Sequence, residues 1–284
     1  MEKIVIPRVV MREKPSQKTK VVSEALFGED IVVLKTMDDW TNIQTPDGYT
    51  GWIRGGFQKC GPYHPSCEVT RLSAHVYAEA DTEFGPLFTL PFGAKLEVVD
   101  SSQRWLTIRL PDERVAFIQT GDVALEPFDL KKFLGIPYTW GGRCSFGFDC
   151  SGFVQMLYAR LGIQLPRDAC QQVALGYEVE VFIWGDLIFW GHSKTELKHV
   201  GMYLENGMFI HTSVRENRPY LRISSLNDAE WNGFGFYSYR TAKRLLGQNP
   251  KEKERNCNFC SNHHENAMKM PIDKNFDFVP PKGH

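Results

Sequence analysis

The chain has 284 residues, of which 42% are hydrophobic, so it is long enough for two or three domains with buried cores. Lys and Arg number 33 against 34 Asp and Glu, for a formal net charge of −1. We therefore expect neither nucleic acid nor an anionic membrane surface as a partner. No apolar segment approaches the length of a transmembrane helix.

The first half of the chain contains an internal repeat at an offset of 65 positions. Both copies alternate apolar and polar residues in short runs, broken by Gly and Pro-Asp turns, which is typical of β-strands. Copies of about 60 residues can each bury a core. We expect two small β-barrels, over residues 1–59 and 66–126, joined by a linker that carries Cys60 and Cys67. The matching positions include Phe27-Gly28 with Phe92-Gly93, Trp40 with Trp105, and Ile43 with Ile108.

A cysteine stands at the predicted start of a helix in the third segment, residues 127–246. The residues after Cys150 have the apolar spacing of an amphipathic helix, and a glycine and a proline follow them. The first turn of a helix favours an anion such as a thiolate, and Asp149 or Ser151 can cap it. Cys150 is therefore a candidate nucleophile. The alternative is a small buried apolar residue, as most free cysteines are.

The chain has seven cysteines, and two others lie near this position. Cys144 is in a glycine-rich loop and Cys170 follows the helix, so we expect neither to open a helix and both to be structural. The apolar run at the N-terminus is too short for a secretory signal peptide. Together with the odd cysteine count, this predicts mostly free thiols in a reducing compartment, the cytoplasm.

Two histidines further along the chain lie at the ends of predicted strands. His199 begins one apolar run and His211 ends the next, and Glu205-Asn206-Gly207 between them is a strong hairpin signal. Residues 192–198 predict a charged loop. An antiparallel hairpin would bring the two imidazoles together, so that one can act as base for a thiol while the other orients it. The alternative is a pair of strand-end histidines that only hydrogen-bond.

Six linked motifs resemble the NlpC/P60 family of cell-wall peptidases. They are YTWGG, FDCSGF, LPR, GDLIFW, HVGMYLENG and FIHTS, within about residues 128–245. The resemblance implies an α+β fold, in which a trimmed papain-like domain packs a nucleophile helix on an antiparallel sheet. It implies that Cys150 is the nucleophile, His199 the base and His211 the orienting residue.

The resemblance also implies substrate contacts. Asp149 and Ser151 flank the nucleophile where the family often contacts the substrate peptide. Backbone N–H groups at the helix start, with Tyr138, are expected to meet the oxyanion.

The two predicted barrels resemble bacterial SH3-like (SH3b) domains. Such a pair before the peptidase domain resembles the γ-D-glutamyl-L-diamino acid endopeptidases that recycle wall peptides, in which the first barrel closes the cleft to all but a free amino terminus. Tyr49 matches the barrel tyrosine that faces the substrate in those enzymes. Glu13 lies one position from the matching acidic residue, because the loop reads MREKPSQ.

We therefore expect a cysteine endopeptidase without a cofactor. Its substrates would be peptidoglycan-derived peptides with a free N-terminal L-Ala, cut between γ-D-Glu and diaminopimelate or lysine. Two alternatives stay open: a peptidoglycan-binding module with an inactive hydrolase domain, and an amidase or acyltransferase on the same fold. The tail, residues 247–284, contains Cys257-x-x-Cys260 and two histidines, a spacing that can ligate zinc. Without a second well-spaced ligand pair, we expect an ordinary tail on the surface and no metal.

Overall fold

The computed structural model describes residues 2–123, 129–232 and 235–245. Over these residues the structure is mostly β, with three successive β units and two α-helices. Within these ranges no helix combines the length and the apolar character needed to cross a membrane. The predicted CxxC tail, residues 247–284, lies outside the described residues.

The first unit is a seven-stranded sheet, strongly curved around a small apolar core. Its strands are β1 (Glu2–Ile4), β2 (Arg8–Arg12), β3 (Val21–Leu26), β4 (Asp30–Met37), β5 (Trp40–Gln44), β6 (Thr50–Ile53) and β7 (Phe57–Lys59). They pair in the order β3-β2-β6-β5-β4-β1-β7. Alternate residues of the strands point inward, and Ile4, Met11, Ile43 and Ile53 are fully buried there.

The second unit repeats the topology of the first. Its strands are β8 (Cys67–Glu68), β9 (Ser73–Tyr77), β10 (Phe88–Pro91), β11 (Lys95–Ser101), β12 (Trp105–Arg109) and β13 (Val115–Gln119). These strands pair in the order β10-β9-β13-β12-β11-β8. The first six strands of the first unit pair in the corresponding order, β3-β2-β6-β5-β4-β1. Trp40 and Trp105 each begin the fifth strand of their unit, so the sequence repeat corresponds to a repeat of strand order.

The third unit places one helix against a six-stranded sheet. Its elements are β14 (Arg143–Cys144), β15 (Gly147–Phe148), α1 (Cys150–Arg160), α2 (Ala169–Gln172), β16 (Tyr177–Glu178), β17 (Leu187–Ser193), β18 (Glu196–Tyr203), β19 (Met208–Ser213), β20 (Tyr220–Ser225) and β21 (Tyr239–Arg244). Three 3₁₀ turns span Thr120–Asp122, Leu130–Phe133 and Arg215–Asn217. The sheet order is β16-β21-β17-β18-β19-β20, and α1 packs on β18 and β19.

Helix α1 is held by its cap and by its apolar face. The Asp149 carboxylate accepts a hydrogen bond from the backbone N–H of Gly152 at 2.8 Å, which satisfies one of the free donors of the first turn. Phe153, Leu157 and Tyr158 are buried against the sheet. Burial of each such side chain contributes about 1.5–3 kcal/mol, so packing rather than intrinsic propensity holds this helix.

The β18–β19 hairpin forms where the sequence predicts it. Asn206 and Gly207 have φ of 53° and 76°, the left-handed values that a type I′ turn requires at both central positions. The predicted charged loop over residues 192–198 is wrong in extent. Strand β17 continues to Ser193 and β18 begins at Glu196, because pairing with the neighbouring strand overrides the polar composition of this segment.

Polar contacts join the first two units to the third. The Arg143 guanidinium pairs with Glu29 of the first unit at 2.8 Å, and the Arg143 backbone N–H donates to the buried Glu24 carboxylate at 3.1 Å. Arg160 of α1 pairs with Glu68 of the second unit. The third unit and the first two units are thereby packed into one structure.

Candidate active site

Cys150 is the first residue of α1, as the sequence predicts, and Asp149 is its N-cap. Gly152 allows this arrangement, because a Cβ there would lie 2.2 Å from the carbonyl oxygen of Gly142. The glycine-rich loop therefore passes directly over the first turn of the helix. This leaves Cys150 partly exposed at the end of the helix that favours a negative charge.

The Asp149 and Ser151 side chains point into the protein. The Arg167 guanidinium, almost fully buried, donates to both Asp149 carboxylate oxygens at 2.9 and 2.7 Å and to Ser151 Oγ at 2.9 Å. Asp149 also accepts from the backbone N–H of Gly141 at 2.9 Å. These contacts favour a positioning role for Asp149 and Ser151 over the substrate contacts expected from the resemblance, because their hydrogen-bonding capacity is used within the fold.

The two predicted histidines meet across the β18–β19 hairpin. His199 Nε2 lies 2.9 Å from His211 Nδ1, and His211 Nε2 lies 2.9 Å from Ser224 Oγ on β20. Both imidazoles are buried, His199 at 4% and His211 at 0% exposure. His199 Nδ1 takes no part in this chain of hydrogen bonds. If His199 Nε2–H donates to His211, and His211 Nε2–H donates to Ser224, then His199 Nδ1 is an unprotonated base.

Aromatic side chains surround the histidine pair. The ring centroids of Trp190 and Trp231 lie 5.6 and 5.0 Å from that of His199, and Tyr237 is parallel to it within 7° at 6.3 Å. Burial lowers the pKa of His199 to about 3, and the Arg222 and Arg215 guanidinium groups add to this effect. Burial also lowers the pKa of His211 well below 6.5, assisted by His199 and Arg222. Both imidazoles are therefore neutral at rest.

The thiol is neutral in the resting site as well. Burial, together with the Asp149 carboxylate, raises the pKa of Cys150 to about 12, against the opposite effects of the Val200 backbone N–H and the Arg167 guanidinium. Val200 directly follows His199, so the sulfur lies against the strand that carries the predicted base. A neutral thiol beside a neutral imidazole requires proton transfer during attack rather than a preformed ion pair.

Tyr138 lies near enough to Cys150 for the two groups to interact electrostatically. Burial raises the pKa of its phenol, with further contributions from Cys150 and Asp149. The hydroxyl is therefore protonated at neutral pH and available as a donor. This is the property required of a group that assists backbone N–H donors at an oxyanion.

The first β unit reaches the site through Tyr49. Its hydroxyl donates to Asp168 Oδ2 at 3.0 Å, and burial together with Asp168 raises the pKa of the phenol. Asp168 follows the buried Arg167 and is the N-cap of α2. Glu13 is exposed in the turn between β2 and β3, and among the described residues no side-chain hydrogen bond or ion pair links it to the third unit.

The competing cysteines differ in their surroundings. Cys144 is fully buried, and its Sγ lies 3.4 Å from Glu24, which agrees with a structural role. Cys170 does not open a helix, but it lies in one that was not predicted, which begins at Ala169. It is the second residue of the four-residue α2, and it is exposed. Across residues 2–123, 129–232 and 235–245 no group of three or more His, Cys, Asp and Glu is placed to hold a metal ion.

Four residues of the site were given no role from the sequence: Asp168, Arg167, which ends the LPR motif, Ser224 and Tyr237. The first two directly follow the Leu-Pro pair after α1, and adjacent opposite charges at such a turn were a usable signal. No sequence signal indicated Ser224 or Tyr237, because their partners are histidines 13 or more positions away.

Comparison with known proteins agrees with this geometry. An NlpC/P60 family model matches residues 135–259, and a bacterial SH3 domain model matches residues 7–58. A gamma-D-glutamyl-L-lysine dipeptidyl-peptidase of Bacillus cereus is 30% identical over 228 residues, 68% of this chain and 67% of that protein. A protein of the same name from Bacillus subtilis is 29% identical over 222 residues, 68% of this chain and 72% of that one.

A solved structure shares the fold. The crystal structure of an NlpC/P60 family protein from Bacillus cereus superposes with a TM-score of 0.75 at 23% identity, covering 86% of this chain and 99% of that one. With a family model on the third unit and a 30% identical relative matched along two thirds of its length, the chain belongs to the NlpC/P60 family of cysteine peptidases.

Proposed function

We propose that this peptidase cleaves the bond between γ-D-glutamate and a diamino acid in peptidoglycan-derived peptides with a free amino terminus. The observation that carries the proposal is the hydrogen bond from Tyr49 to Asp168. It joins a phenol of the first β unit to a carboxylate of the third, next to the Arg167 that holds Asp149, and such a pair can bind an ammonium group. The names of the two Bacillus relatives support the choice of bond.

In the proposed mechanism Cys150 is the nucleophile and His199 the base. The Sγ attacks the carbonyl carbon of the scissile amide while its proton passes to His199 Nδ1. The oxyanion accepts hydrogen bonds from backbone N–H groups at the start of α1 and from the Tyr138 hydroxyl. His199 then protonates the leaving nitrogen as the carbon–nitrogen bond breaks, which leaves a thioester on Cys150.

Hydrolysis of the thioester completes the cycle. Water attacks the thioester carbonyl, His199 takes the proton from that water, and the thiolate that leaves regains a proton from His199. His211 stabilises the imidazolium that forms twice in each cycle, because its Nδ1 accepts from His199 Nε2–H at 2.9 Å. Every proton transferred comes from the Cys150 thiol or from the attacking water and passes through His199, so the mechanism calls for no cofactor.

The free amino terminus is recognised by charge. Asp168 accepts from the Tyr49 phenol and caps α2, and because each carboxylate oxygen can accept more than one hydrogen bond, it can also bind a substrate ammonium. An acetylated amine carries no charge and leaves Asp168 without its partner, which costs binding energy. Glu13 is assigned to the same end of the cleft by the resemblance alone, and it remains a secondary candidate in this proposal.

The two β units then have different roles. The first closes the cleft, whereas the second, which we propose to be another SH3-like domain because of its identical strand order, supports the third unit. In a closed cleft a short free peptide fits better than a crosslinked wall. The proposal therefore includes recycling of wall peptides in the cytoplasm.

The test is product analysis by mass spectrometry on three substrates: L-Ala-γ-D-Glu-diaminopimelate, its N-acetyl form and intact sacculi. We expect L-Ala-γ-D-Glu as product, a kcat/KM at least about 10-fold lower for the acetylated peptide, and little release from sacculi. Tyr49→Phe should reduce the preference for the free amine. Tyr63→Phe is the control, because the hydroxyl of this linker tyrosine donates to the Lys95 carbonyl of the second unit. Equal rates on both peptides, faster release from sacculi, or transfer of the acyl group to an amine would refute the proposal.

A further inference from the structure

An arginine on the rim of the site has no role in the mechanism above. Arg215 begins the 3₁₀ turn after β19, and it is exposed. Its guanidinium lies 4.8 Å from the ring centroid of Phe236 and 5.5 Å from that of Tyr237. Tyr237 in turn is stacked parallel to His199. Stacking on aromatic faces restricts a side chain that is otherwise mobile at a surface.

The turn beneath Arg215 is anchored by buried groups. The Arg215 backbone N–H donates to Ser213 Oγ at 3.1 Å, and its carbonyl oxygen lies 3.5 Å from Arg222 Nη2. Glu216 has a left-handed φ of 63°, and its carboxylate accepts from Trp231 Nε1 at 2.5 Å. Backbone in that region is held only when the surroundings determine it. The position of Arg215 is therefore preorganised.

The charge of Arg215 is not balanced within the fold. Glu216 is the carboxylate of this turn, and it pairs with Arg222 at 3.3 Å and with Arg218 at 3.9 Å. Among residues 2–123, 129–232 and 235–245, no carboxylate forms an ion pair with Arg215. Its field nevertheless reaches the reaction centre, because it contributes to the lowered pKa of His199. A stacked guanidinium that forms no ion pair within the described residues and lies beside an active site suits a carboxylate ligand.

The location of Arg215 indicates which part of a substrate it would meet. Asp168, Arg167 and the start of α1 form the side of Cys150 that faces the first β unit. Arg215 belongs to a separate group, with Tyr237 and the end of β19. A peptide whose amino terminus lies at Asp168 would therefore pass Cys150 and direct its leaving residue toward Arg215.

We propose that Arg215 is a specificity-determining residue that binds a carboxylate of the amino acid on the leaving side of the scissile bond. This inference rests on the proposed function. It names the substrate class as short peptides whose diamino acid carries a free carboxylate, either the α-carboxylate of a chain that ends there or the side-chain carboxylate of diaminopimelate.

The test compares three peptides that share the L-Ala-γ-D-Glu part: one ending in L-Lys with a free carboxylate, the same peptide as its C-terminal amide, and the diaminopimelate peptide amidated only at its α-carboxylate. We expect kcat/KM for the lysine acid to exceed that for its amide by about 10-fold, the factor of one charge-assisted hydrogen bond. Arg215→Gln should remove this preference, by lowering kcat/KM for the lysine acid to the value that the same variant has for the amide. Arg218→Gln, at a neighbouring exposed arginine, should keep it.

The third peptide separates the two carboxylate sources. Cleavage of the diaminopimelate α-amide at the rate of the lysine acid identifies the side-chain carboxylate as a ligand, and cleavage at the rate of the lysine amide identifies the α-carboxylate. Two results would overturn the inference about Arg215: equal rates for the lysine acid and its amide in the wild type, or an unchanged preference in Arg215→Gln. In either case, cleavage of the peptides would still support the proposed function. If none of the peptides is cleaved, or bound by Cys150→Ala in calorimetry, both proposals fail.

Discussion

Replacement of Ser224 by alanine tests whether the chain of buried hydrogen bonds sets the protonation of the base. Ser224 Oγ lies 2.9 Å from His211 Nε2, and His211 is fully buried, so no water can replace the hydroxyl without a rearrangement. In the reactive tautomer His199 Nδ1 is unprotonated and His211 Nε2–H donates to Ser224. In Ser224→Ala this tautomer leaves the His211 Nε2–H without a partner. An unsatisfied buried donor costs about 1–3 kcal/mol.

The variant can avoid this cost only by the reversed tautomer. His211 Nδ1–H would then donate to His199 Nε2, and the proton of neutral His199 would move to Nδ1, where a base is needed. The reactive tautomer thus becomes a minor state, and kcat should fall by roughly 5-fold to 150-fold. KM should change little, because Ser224 contacts His211 rather than the cleft.

The assay is steady-state kinetics on a free tripeptide, with thermal unfolding measured in parallel to show that the variant is folded. Ser225→Ala is the matched control, since Ser225 is the next residue on β20 and its Oγ accepts from the backbone N–H of Asn227 at 3.1 Å, away from the histidines. An unchanged kcat in Ser224→Ala, an effect confined to KM, or an equal loss in Ser225→Ala would refute the reasoning.

Three further predictions concern the catalytic groups. Cys150→Ala should abolish hydrolysis without unfolding the protein, whereas Cys170→Ala should retain full activity. Peptide assays measure hydrolysis and circular dichroism measures folding; hydrolysis by Cys150→Ala, or its loss in Cys170→Ala, would contradict the assignment. His199→Ala should reduce kcat by on the order of 10²–10⁴-fold, and His211→Gln by less, because the second histidine only orients the first; a larger loss at His211 would exchange their roles. The acid limb of kcat/KM should lie well below pH 6.5, because burial and the nearby arginines lower the pKa of His199 to about 3. Since that folded-state pKa is below the unfolded value, the corresponding stability is present above pH 6.5 and is lost as the pH falls toward 3; a midpoint at 6.5 or above in both profiles would contradict this.

Local patterns in the sequence were sufficient for much of this protein. The helix that Cys150 opens, the Asn206-Gly207 turn and the pairing of His199 with His211 all follow from apolar spacing and turn chemistry within one or two elements. The two β units were predicted because a repeat places equivalent residues, such as Trp40 and Trp105, on equivalent strands.

Tertiary structure decided how those elements are connected in the site. Tyr49 bonds to Asp168 across 119 positions, and Ser224 and Tyr237 complete the surroundings of histidines on other strands. No local pattern encodes such contacts, because they depend on how separate cores pack. The orientation of the Asp149 and Ser151 side chains was also decided by tertiary structure. Their position beside the nucleophile in the motif had predicted contact with the substrate. The buried Arg167 holds them in the interior, since a charge taken out of water must be paired and hydrogen-bonded where it lies.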